Sequence, residues 1–99
     1  MKINVLQKVM GLDGQEAVEA PTMRDVCVKA LVELTRSDQE MSGKEKFEMG
    51  MLAQKIYQED EPDLIVEDVS KLKDRIGKLW GPLVVAWAWN ALDGNGQRG

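Results

Sequence analysis

The run SGKEKFEMGMLAQKI, Ser42 to Ile56, decides the fold class. Ser42 and Glu45 stand at the two defining positions of a capping box, where hydroxyl and carboxylate satisfy the free amide groups of a helix start. Behind them Met49, Leu52, Ala53 and Ile56 recur at three- and four-residue steps and so share one face of a helix, with Phe47 and Met51 on its flank. Gly50 inside this helix costs about 1 kcal/mol relative to alanine, which predicts close approach of another backbone.

Upstream, Thr22 followed by Asp25 approximates a capping box after Pro21. Met23, Cys27, Ala30, Leu31 and Leu34 follow on one helical face, with Ser37 and Asp38 closing the helix. On the other side Pro62 ends the Ser42 helix and pushes Glu61 to extended geometry. Leu64 and Ile65 are expected to anchor the next helix. In that helix Val69, Leu72, Ile76 and Leu79 are the buried stripe, and Lys71, Lys73, Arg75 and Lys78 the wet side. Asp68 near its start and Lys78 near its end both suit the macrodipole. Gly81-Pro82 forces a break, and Pro82 fits the first turn of a fourth helix. That helix, Leu83 to Leu92, is almost entirely apolar and is expected to be the central element.

The N-terminus is less regular. Ile3 and Val5 alternate with Lys2 and Asn4, as in a half-buried strand. Asp13-Gly14 is a favoured turn pair, after which 15–20 would return as a second strand. A short helix over Val5 to Met10 is the competing reading. The expected architecture is mainly α: a four-helix cluster with a short N-terminal β-hairpin or irregular extension. Residues 1–92 form one domain and 93–99 a disordered polar tail.

Composition narrows the function. Ninety-nine residues make one domain, and a 43% apolar share is ordinary for a globular chain. A net charge of -4 argues against direct binding to nucleic acid or anionic membranes. Cys27 stands alone, excluding an internal disulfide or zinc cluster, and its apolar neighbours make it a buried small hydrophobe. No run reaches the ~18 apolar residues of a membrane span, and the start lacks a secretory signal's apolar stretch. A cytoplasmic location is expected. Phosphate-binding glycine motifs and histidine are both missing. Asp93, Asn95 and Gln97 resemble the opening of a calcium loop without its closing glutamate. The expectation is a non-enzyme with no catalytic, cofactor-binding or metal-binding residues.

The positive clue is charge. Between Lys55 and Lys71 the chain carries Glu59, Asp60, Glu61, Asp63, Glu67 and Asp68 and no basic side chain. Across the Pro62 break this reads as a solvated, uncompensated negative surface suited to a basic partner. With a helical rise of 1.5 Å per residue, such packing approaches the charge per roughly 1.7 Å of duplex DNA. Its bland alternative is a solvated face that assists the macrodipole. Trp87 and Trp89, two residues apart, point about 200° apart on a helix. One of them, Trp89 rather than Trp87, is therefore expected at a partner contact. A homodimer with the fourth helix near the interface would relieve the surplus apolar surface.

Three stretches resemble small accessory proteins of tailed phages and prophages: TMRDVCVKAL (22–31), SGKEK (42–46) leading to LAQKI (52–56), and IGKLWGPLVV (76–85). The resemblance implies one of two roles. One is an anti-CRISPR-like inhibitor whose acidic surface blocks DNA access to a basic, nucleic-acid-handling host protein or ribonucleoprotein. The other is a tail-assembly chaperone that shields apolar surface. It transfers no site residues to either role.

Overall fold

Four helices carry the chain in the computed structural model, which describes residues 1–11, 14–15 and 20–93. They are α1 (Met23–Val32), α2 (Gly43–Gln58), α3 (Val66–Leu79) and α4 (Pro82–Leu92), with a single 3-10 turn at Arg36–Asp38 before α2. The mainly α, four-helix expectation therefore holds. The Thr22 capping box forms in full and the Ser42 box only in part. Thr22 Oγ1 accepts the Asp25 N–H at 3.2 Å while the Asp25 carboxylate accepts the Thr22 N–H at 3.1 Å. Ser42 Oγ accepts the Glu45 N–H at 3.1 Å, but its hydroxyl, rather than its backbone N–H, engages the Glu45 carboxylate at 3.3 Å.

The core lies where α1 packs on both α2 and α3. Met23, Val26, Ala30, Leu31, Ile56, Leu72 and Ile76 are buried there, joined by Ile3 and Val5 from the N-terminal segment. Centrality thus belongs to α1, and the expectation for α4 is corrected. The Gly81-Pro82 break turns α4 back along α3, so that only Ala88 and Leu92 become buried. Trp80 and Trp87 are half-buried, and Trp89 is 37% exposed. The indole N–H groups of Trp80 and Trp89 donate to the carbonyls of Val26 (3.1 Å) and Lys73 (3.0 Å).

Arg75, expected on the wet side of α3, is buried. Its guanidinium donates to Asp38 Oδ1 at 2.6 Å, to the Ala30 carbonyl at 3.0 Å and to the Glu33 carbonyl at 2.7 Å. Asp38 Oδ2 in turn accepts the Thr35 N–H and hydroxyl at 2.7 and 2.9 Å. A buried charge persists only when paired and hydrogen-bonded, and this network satisfies both partners. It also explains why α1 stops at Val32. Arg75 captures the Glu33 carbonyl, the chain turns at Thr35, and Leu34 is left exposed instead of on the buried stripe.

Two further expectations change. A Cβ built on Gly50 would meet nothing within 4 Å, so among the described residues no neighbouring backbone approaches it. Of the Leu64–Ile65 pair, Leu64 anchors in the core whereas Ile65 is 61% exposed. The N-terminal segment is extended and irregular, and the alternative helix over Val5 to Met10 does not form. Gly14 takes the positive φ of +79° that the turn needs, and the Gly11 N–H reaches the Gln15 carbonyl at 2.9 Å. Asp13, most of the expected return strand and the tail beyond Asp93 lie outside the described residues.

Candidate functional site

The α2–α3 connector is an extended strip with a fixed backbone. The Ile3 and Val5 N–H groups donate to the carbonyls of Pro62 (3.2 Å) and Asp60 (3.0 Å), and the Leu64 N–H donates to the Met1 carbonyl at 2.7 Å. On the other side of the N-terminal segment, the Met23 and Arg24 N–H groups reach the Gln7 and Val5 carbonyls at 2.8 and 2.9 Å. The first residues thus clamp the connector to the start of α1. Along the strip Pro62 and Leu64 point inward while Glu61, Asp63 and Ile65 point outward. That period-two alternation was visible in the sequence, though the acidic run and the proline masked it.

Glu59, Asp60, Glu61, Asp63 and Glu67 are all exposed, and Asp68 is half-buried. The surface is solvated, as expected, but it is partly compensated by cations distant in sequence. Asp60 pairs with Arg24 at 2.8 Å, and the same guanidinium caps α2 through the Ile56 and Glu59 carbonyls at 3.1 and 3.0 Å. Asp63 receives the Met1 ammonium at 2.7 Å. That hydrogen bond and its charge, with smaller help from Lys55 and Lys2, hold the Asp63 carboxyl below its ordinary value. Asp68 accepts the Ile65 N–H at 3.2 Å and serves the helix start. Among the described residues this leaves Glu59, Glu61 and Glu67 with neither a paired cation nor a side-chain hydrogen bond.

The charge spacing also differs from a helical reading. In an extended strip, outward side chains two residues apart are separated by roughly 6.6 Å. The line of carboxylates is therefore sparser than duplex phosphate.

Beside the strip lies an open cleft of about 740 Å³. Leu64, Ile65, Val66, Val69 and Leu92 supply its apolar lining, with Asp63, Glu67, Asp93 and Lys73 among its charged groups. Lys73 is tied to Asp93 at 2.9 Å and sits 5.0 Å from the centre of the Trp89 ring. The acidic residues are thus brought together along one edge, and Trp89 stands behind Lys73 rather than among them. Ile65 and Val66 were missed as site residues. They are 61% and 78% exposed, and Ile65 occupies the N-cap of α3. An isoleucine there has no side-chain acceptor to offer.

Cys27 is buried in the α1 core, where desolvation pushes its thiol up to about 12. It behaves as packing, not chemistry. Among the described residues no acidic, cysteine or histidine cluster could hold a metal ion. No helix there is long and apolar enough to cross a membrane. No family model matches this chain, nor does any curated protein or solved structure.

Proposed function

We propose that the chain is a binding protein that docks its α2–α3 edge onto a basic surface of a partner protein. The observation that carries this reading is the pairing, on a clamped backbone, of an exposed Ile65–Val66 anchor with the unpaired carboxylates of Glu59, Glu61 and Glu67. Apolar anchors in a charged rim are the usual anatomy of an interface, and uncompensated charge steers oppositely charged partners. The adjacent cleft suits a lysine or arginine side chain of that partner. Its aliphatic stem would lie on Leu64, Val69 and Leu92 while its charged head reaches Asp63 or Glu67.

A protein held this way on a nucleic-acid-handling partner would exclude DNA or RNA from the same basic surface. That is the inhibitor role implied by the resemblance to phage accessory proteins. The sparser charge spacing favours steering plus anchoring over imitation of a duplex.

Affinity capture from a bacterial lysate tests the proposal, with double-stranded DNA added as competitor and salt varied. Basic proteins should be retained, and DNA and rising salt should release them. They should be lost from a Glu59→Lys/Glu61→Lys/Glu67→Lys variant that keeps its helical circular dichroism. A retained set indifferent to DNA, salt and charge reversal would favour a chaperone that recognises apolar surface, and the proposal would be abandoned.

A further inference from the structure

On a different face, α1 and α2 leave a shallow groove whose residues Val28, Val32, Gly50, Ala53 and Tyr57 are joined only by the neutral Gln54 and Gln58. It continues through Val32 and Gly50 towards Leu34 and Lys46. Among the described residues no carboxylate lines either part. Phe47 and Tyr57 are 67% and 68% exposed, and Val32, Leu34, Gln54 and Gln58 are exposed as well.

We propose that this face pairs with a second copy of the chain across a twofold axis running past Gly50. The first reason is self-complementarity, which an isologous contact requires. Phe47 is a projecting side chain one turn before Gly50, and the hollow beyond Gly50 lies on the same helix. Two antiparallel α2 helices crossing at Gly50 place each Phe47 towards the other's hollow between Val32, Ala53 and Tyr57.

Gly50 supplies a second reason. A glycine inside a helix is unfavourable, and none of the described residues occupies the space its missing Cβ leaves. Close crossing of another helix backbone uses that space.

Charge decides the occupant. Two copies of net charge -4 repel, so a stable pair must form away from the Glu59–Asp68 edge. The α1–α2 groove is such a face. Area is sufficient: with large side chains carrying on the order of 150–250 Å² each, the exposed parts of Phe47, Tyr57, Val32, Leu34, Gln54 and Gln58 offer roughly 500 Å² per copy. Both copies together reach the ~1,000 Å² that marks a specific interface. This places self-association on α2 and away from α4, independently of the proposed acidic edge.

Sedimentation velocity from low micromolar to near-millimolar concentration tests the pairing, with circular dichroism and thermal melts as fold controls. The parent should approach twice the 11.1 kDa of one chain. Phe47→Glu should remain monomeric with its helical spectrum intact, because Phe47 is a surface residue in one chain. Gly50→Ala should raise the melting temperature measured at low micromolar concentration, yet weaken the pair at least tenfold. A parent that stays at the monomer mass throughout, or a dimer unaffected by both substitutions, would overturn the proposal.

Discussion

Arg75 joins three pieces of backbone that the hydrophobic pattern would leave unconnected: the end of α1, the turn at Thr35–Asp38, and α3. Removing one partner of a buried pair leaves an uncompensated charge and typically costs 3–5 kcal/mol. Arg75→Ala should therefore lower the unfolding free energy by about 3 kcal/mol or more, measured by urea titration. Arg75→Lys should recover little, since one ammonium cannot reach all three acceptors in the planar fork's geometry. A loss for the alanine variant below about 1 kcal/mol would place this contact among ordinary surface pairs. The sequence offered no warning. Arg75 sits between Lys73 and Lys78 in a basic stretch, and burial of one cation in such a run depends on an acceptor, Asp38, that lies far away along the chain.

Helix α3 begins badly for its own stability. Ile65 at its N-cap has no acceptor, whereas serine or aspartate would gain about 0.5–2 kcal/mol. Ile65→Ser should raise the melting temperature modestly and, if the proposed edge is right, weaken partner capture. A variant with lowered stability would mean that Ile65 packs for the fold after all. Helices as elements were legible here because capping boxes at Thr22 and Ser42 and the Gly81-Pro82 break are local signals. Partnership between elements was not. The apolarity of α4 suggested a central helix, yet apolarity states how much surface wants cover and not which neighbour supplies it. Equally, Glu59 to Asp68 read as uncompensated because Arg24 and the Met1 ammonium are remote in sequence. At Gly50 the sequence signalled close approach, and the described residues of the single chain leave that space open.

At the scale of the molecule, stability against acid should follow the two depressed carboxyls. The Arg75 hydrogen bond foremost, with the Thr35 N–H behind it, holds Asp38 well below the usual carboxylate range, and Asp63 is lowered as well. Depressed folded values mean that their contributions are complete above the ordinary carboxylate range near ~4 and are lost only as the pH falls through the lowered values. Urea midpoints should therefore be flat from neutral pH down to about 5 and decline below about 4, with a shallower decline in Asp38→Asn. A midpoint that already falls between neutral pH and 5 would contradict this assignment.

The same chemistry makes the molecule a quiet reporter. Histidine is the side chain whose ordinary value lies in the neutral range, and this chain has none. Burial has moved its one thiol to about 12. A complex that tightens or loosens as the pH moves between 6 and 8 therefore owes that response to no histidine or thiol of this chain.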